Sequence, residues 1–121
     1  MRIQARIVNT AASMAVLIGC LSLAAPAVSV AADAVAEGKK IAFSKKKGNC
    51  LACHMIKGGK LPGNIGPPLI AMKARFKKED LKKQISDARV KNKNSIMPPF
   101  GPHQILSPKE IDKVVEFIYT L

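Results

Sequence analysis

Two cysteines and a histidine stand together near the middle of the 121-residue chain, in the order Cys50-Leu51-Ala52-Cys53-His54. The C-x-x-C-H spacing is that of a c-type haem attachment site. One helical turn presents both thiols to the two vinyl groups of a haem, which become thioether bonds, and the adjacent imidazole then reaches the iron as the proximal axial ligand. The motif therefore predicts one covalently bound haem c, held through Cys50 and Cys53 and ligated by His54.

Three other chemistries compete for these residues. A zinc site needs four ligands, and beyond the motif the exported part of the chain adds only the distant His103. A thioredoxin-like redox pair occurs in a βαβ setting, and no strand-like alternation flanks the motif. A structural disulfide between Cys50 and Cys53 would leave His54 without a role. Haem attachment is the interpretation that accounts for all three residues and their spacing.

The first 32 residues have the composition of an export signal. Arg2 and Arg6 precede an uncharged stretch from residue 7 to residue 32, which ends in small residues suited to signal peptidase. We expect a cleaved secretory signal peptide over 1–32 and a domain over 33–121. Two alternatives stay open: residues 17–20 resemble a bacterial lipobox, which would lipidate Cys20, and the uncharged run is long enough to remain as a membrane anchor. All three place the domain outside the cytoplasm, and we expect the periplasm.

The exported domain is small and strongly basic. The full chain has 20 Lys and Arg against 8 Asp and Glu, and only Arg2 and Arg6 of the basic residues lie in the leader. Such a charge speeds encounters with acidic partners. Nucleic acid is not an expected partner, because export removes it and no aromatic residues interleave the lysines. The third cysteine, Cys20, lies in the leader, so the domain has neither a disulfide scaffold nor a spare thiol for nucleophilic chemistry.

Hydrophobic periodicity predicts an all-α domain. A first helix over about 34–44 carries Gly38 on its apolar stripe, and a glycine inside a helix indicates close approach of another helix. A capping box from Ser107 to Glu110, with Pro108 at the first helical position, starts a last helix that runs to Leu121. We expect these two terminal helices to cross at Gly38. Between them we expect a loop over 58–68, a short helix over 69–76 and a longer one over 79–90, with no strand.

The arrangement of these motifs resembles class I cytochrome c. The resemblance rests on C-x-x-C-H near the start, a Gly66-Pro67-x-Leu69 stretch, Met97 in a proline-rich loop and a closing helix. It implies a fold in which the N- and C-terminal helices cross around a covalently bound haem. It also implies that the Pro67 carbonyl accepts from His54 Nδ1, that Leu69 packs on the haem, and that Met97 binds iron opposite His54. His103 is the alternative distal ligand, whereas Met55 and Met72 are expected to fill the core.

The amino-acid sequence from residue 38 onward is similar to one branch of that family, the SoxX-type small monohaem subunit of the thiosulfate-oxidising SoxAX complex. The most specific stretches are Pro62-Gly63-Asn64-Ile65-Gly66-Pro67-Pro68 and Met97-Pro98-Pro99-Phe100-Gly101. The resemblance implies a heterodimer with a larger SoxA-type cytochrome subunit that has L-cysteine S-thiosulfotransferase activity. That complex joins thiosulfate to a cysteine of a sulfur-carrier protein, and this subunit would take up the released electrons and pass them to a soluble cytochrome c.

Two further functions are compatible with the same motifs. The first is a free-standing periplasmic electron carrier with no bound subunit. The second is a haem-based ligand sensor, which needs an open sixth iron position and is disfavoured by Met97. A bound subunit would cover an exposed apolar patch at the haem edge. The candidates for that patch are Ile65, Pro98, Pro99 and Phe100.

Overall fold

The structure, a computed structural model, describes residues 27–121, with side chains from Val30 onward. The predicted signal peptide lies outside the described residues as far as residue 26. Within 27–121 no strand is present, which confirms the predicted all-α class, and no helix is long and apolar enough to cross a membrane. The helices are α1 (Ala27–Phe43), α2 (Met72–Arg75), α3 (Lys78–Ser86) and α4 (Pro108–Ile118), with 3-10 turns at Cys50–Ala52 and Ala88–Val90.

The terminal helices α1 and α4 cross where the sequence predicts. A Cβ added to Gly38 would overlap the backbone carbonyl of Lys113 in α4 and would lie 3.0 Å from Phe117 Cβ. The lack of a side chain at Gly38 therefore lets the two backbones touch. Next to the crossing, the rings of Phe43 and Phe117 meet edge to face, with centroids 5.7 Å apart. Aromatic pairs favour this geometry.

The N-terminus of α4 is closed by the predicted capping box. Ser107 Oγ accepts from the backbone N–H of Glu110 at 3.3 Å, and Glu110 Oε2 accepts from the N–H of Ser107 at 2.9 Å. These two bonds satisfy amide groups that the first turn leaves without helical partners. The helix ends at Ile118, three residues before the predicted end. Its buried face includes Phe117, which the sequence pattern does not single out, together with Ile111, Val114, Val115 and Ile118.

The predicted helix over 79–90 is divided in two. Asp87 has an extended backbone (φ −152°, ψ 97°), so α3 ends at Ser86 and a separate 3-10 turn follows. Asp87 Oδ1 accepts from the backbone N–H of Arg89 at 3.0 Å and from Arg89 Nε at 2.8 Å. A short acidic side chain that bonds its own backbone competes with the helix in this way. The short helix predicted over 69–76 is reduced to α2.

Candidate haem site

The C-x-x-C-H motif occupies a tight turn after α1. Asn49 has a left-handed backbone (φ 47°), and the 3-10 turn Cys50–Ala52 follows it directly. The backbone N–H of His54 donates to the carbonyl of Cys50 at 2.9 Å. The turn brings both thiols and the imidazole to the same cavity, whose lining includes Cys50, Cys53 and His54.

A second segment, residues 63–69, runs alongside the motif and is bonded to it at regular intervals. The N–H groups of Gly63, Gly66 and Leu69 donate to the carbonyls of residues 51, 53 and 55, at 2.7, 2.8 and 2.9 Å. These bonds fix the Gly-Pro-x-Leu stretch against the motif. Leu69 is half-buried, packs against the core and lines the cavity.

The imidazole of His54 is held on two sides by this segment. His54 Nδ1 lies 2.7 Å from the carbonyl oxygen of Pro67. A carbonyl only accepts, so this contact places the proton on Nδ1 and leaves Nε2 with a free lone pair. A Cβ added to Gly66 would overlap the ring of His54. Gly66 and Pro67 together therefore set the tautomer and the plane of the ring, which is how a metal-binding histidine is oriented.

The cavity has a volume of about 760 Å³, within the range of cofactor sites in proteins. Its walls come from every part of the described fold after α1. Their apolar side chains include Leu81, Ile85, Phe100, Leu106, Val114 and Ile118. Among the residues that the structure describes, every buried side-chain nitrogen or oxygen has a hydrogen-bond partner. The apolar side chains of the walls suit a flat, largely apolar group and limit its contact with water.

Two methionines line the cavity, Met97 and Met72. Met97 is half-buried in the loop before Pro98, while Met72 is 3% exposed, belongs to the core and has its sulfur 3.9 Å from Arg75 Nη1. Met55, also expected in the core, is instead 55% exposed. The alternative distal ligand, His103, is exposed and does not line the cavity. Met97 as the iron ligand opposite His54 stays a prediction from the resemblance.

All the charged side chains that line the cavity are basic: Lys45, Lys47, Arg75 and Lys91. The potential there favours anionic groups, such as the two carboxylates of a haem. Sequence reasoning missed Arg75. Its guanidinium lies within 3.4 Å of the carbonyls of Pro68 and Ile70, so it ties the end of the 63–70 segment to the cavity rim. The absence of Asp and Glu between residues 38 and 78 was the available signal for this positive rim.

Cys50 and Cys53 form no disulfide with each other, so both sulfurs are available for thioether bonds. Burial raises the pKa of the Cys50 thiol to about 11, because the apolar surroundings disfavour a thiolate. Two cysteines on one turn, an imidazole with a free Nε2, a methionine in the lining of a mainly apolar cavity and a basic rim together fit a haem bound through two thioethers.

The predicted apolar patch needs correction. Phe100 is 5% exposed and belongs to the core, and Pro99 is also buried. The backbone bond from Leu106 N–H to the Phe100 carbonyl, at 3.1 Å, turns this segment inward. Pro98 and Ile65 are exposed, so they remain candidates for the patch.

A comparison with protein families identifies the class. A profile described as cytochrome c matches residues 35–121, and the chain therefore belongs to the cytochrome c family. Its cofactor is haem c, covalently bound, and its role is electron transfer. No curated protein sequence gives a significant match.

A solved structure narrows the comparison. The chain is similar to one in the crystal structure of SoxXA from P. pantotrophus, with 28% identity, a TM-score of 0.64, and coverage of 70% of this chain and 79% of that chain. The predicted resemblance to a SoxX-type class I cytochrome c is thereby confirmed.

Proposed function

We propose that this chain is the electron-transfer subunit of a periplasmic thiosulfate-oxidising complex and forms a heterodimer with a larger SoxA-type cytochrome subunit. In this complex thiosulfate is joined to a cysteine of a carrier protein, as in an L-cysteine S-thiosulfotransferase. The chain takes up the released electrons and passes them to a soluble cytochrome c. The observation that carries the proposal is the similarity to SoxXA over most of both chains.

The cysteine content supports this division of labour. Among the described residues only Cys50 and Cys53 carry thiols, and both are consumed by haem attachment. No thiol is then left in the domain to accept or transfer sulfur. The sulfur chemistry therefore belongs to the partner, and this chain contributes a redox site.

The residues of the cavity have separate tasks in electron transfer. The haem iron supplies a site that gains and loses one electron. His54, in the orientation set by Pro67 and Gly66, would ligate the iron. Met97 would supply a soft neutral thioether, which favours the reduced state and raises the reduction potential. The apolar walls keep water away, which stabilises the state of lower charge in the same direction.

The test is co-purification of the full-length protein, tagged at its C-terminus, from the periplasm of its own cells. We expect a second, larger haem-staining band in fixed ratio, and thiosulfate-dependent reduction of a soluble cytochrome c by the pair. An assay without the sulfur-carrier protein is the matched control: the two haem bands should keep their ratio while the activity is lost. A single haem band at the mass of this chain would instead favour the free-standing carrier.

A further inference from the structure

A row of exposed apolar side chains borders the haem cavity on the His54 side. We call it the proximal strip and define it by Met55, Leu61, Ile65 and Ile70, which are 55%, 98%, 65% and 57% exposed. The backbone bonds between residues 63–69 and 51–55 place these residues along one ridge. Ile65, Gly66 and Pro67 also line the cavity, so whatever covers the strip lies beside the haem.

The strip is held rigidly although it is exposed. Leu61 has a left-handed backbone (φ 51°), which costs a non-glycine residue free energy and persists only where the surroundings impose it. The bond from Gly63 N–H to the Leu51 carbonyl fixes one end of the strip, and Arg75 bonded to the Ile70 carbonyl fixes the other. A backbone that is already held in place in the free chain needs little ordering on binding, which favours a stable contact.

The surroundings of the strip have one sign of charge. Residues 38–78 contain 11 Lys and Arg and no Asp or Glu. Lys57 and Lys60 precede Leu61 in the same loop, and both are exposed. Three of the acidic residues lie on α4, where they pair with lysines, in Lys47–Glu110, Lys78–Glu116 and Lys82–Asp112. A partner that fits the strip therefore has an apolar centre and an acidic rim.

We infer that the proximal strip is the surface on which the larger haem subunit docks. This inference rests on the proposed function. A permanent subunit interface is more apolar than a brief electron-transfer contact, which is small and weak. Four exposed apolar side chains on a rigid ridge match the permanent type. Docking there would leave the part of the cavity rim that carries Lys45 and Lys91 for the soluble electron acceptor.

The experiment compares two single variants of the haem-loaded chain with the wild type. Leu61→Asn removes the most exposed strip residue, and asparagine tolerates the left-handed backbone. Val90→Asn is the matched control, because Val90 is 79% exposed and lies beside α3, outside the strip. We measure Kd for the purified larger SoxA-type subunit, together with the haem absorption spectrum and Tm. Both variants should keep the spectrum and Tm, since both side chains are exposed.

We expect Leu61→Asn to weaken binding about 10-fold, the effect of losing one buried aliphatic side chain. A double variant that adds Ile70→Ser, at a strip residue outside the cavity lining, should weaken binding about 100-fold. Val90→Asn should bind as the wild type does. If the strip variants also bind as the wild type does, the strip is not the docking surface, while the proposed heterodimer stands. Unchanged affinity with slower electron delivery to a soluble cytochrome would assign the strip to the acceptor and overturn the inference. No binding by the wild type would overturn both the inference and the proposed function.

Discussion

The crossing of α1 and α4 can be tested by one methyl group. In Gly38→Ala the new Cβ overlaps the Lys113 carbonyl, so the two backbones must separate. Overpacking of this kind costs about 1–3 kcal/mol. The helix itself gains about 1 kcal/mol from alanine. Because the obstacle is backbone rather than a flexible side chain, we place the overpacking cost at the upper end and expect a net loss of about 2 kcal/mol.

The assay is thermal unfolding of the haem-loaded protein, followed by far-ultraviolet circular dichroism. For a domain of this size each 1 kcal/mol shifts Tm by about 4–8 °C, so we expect a fall of about 8–16 °C. The control is Ala36→Gly, at an exposed position of the same helix, which measures the helix-propensity contribution alone. A Tm for Gly38→Ala equal to or above that of the wild type would show that helix propensity decides, and would refute the close crossing.

Three further predictions concern the haem site and its support. Met97→Ala should keep the haem attached, lower the reduction potential and abolish the red ferric charge-transfer band of sulfur-to-iron coordination, while Met72→Leu should retain that band; the reverse pattern would make Met72 the ligand. Gly66→Ala should displace the His54 ring from Pro67 and shift the haem spectrum and potential, and an unaltered spectrum would contradict this account of how the ring is oriented. The hydrogen bond from Lys47, with those from Ser107, lowers the pKa of Glu110 to about 2. The contribution of the Glu110 charge to stability is therefore present above about pH 4.5 and is lost as the pH falls through 2, so Glu110→Gln should cost about 1 kcal/mol at pH 7, after allowing for solvent screening, and much less near pH 2. An equal cost at both pH values, measured by urea unfolding, would argue against a role for the charge.

The sequence predicts the features that depend on local chemistry. The capping box of Ser107 and Glu110 and the helical contact at Gly38 are readable because each follows from a few neighbouring residues. The early end of α3 could not be predicted in this way. The apolar pattern continues on both sides of Asp87 and indicates one helix, which is interrupted where the Asp87 side chain bonds to the backbone of Arg89.

The cavity rim and the surface were harder to predict. Met55 and Phe100 are both apolar residues in irregular segments, and the first is exposed whereas the second is buried. Which of them faces the core is decided by the register of long-range backbone bonds, such as that from Leu69 to Met55. Arg75 was missed for the same reason, since its place at the cavity depends on how the 63–70 segment lies against the motif.

The order of the cavity walls along the chain has a consequence for the timing of biosynthesis. Cys50 and Cys53 lie before the middle of the chain, whereas Val114 and Ile118 belong to α4, the last helix. The cavity therefore cannot close until about sixty more residues have followed the motif. A chain that emerges N-terminus first presents both thiols before the helix that completes the wall, so haem can be attached while the cavity is still open.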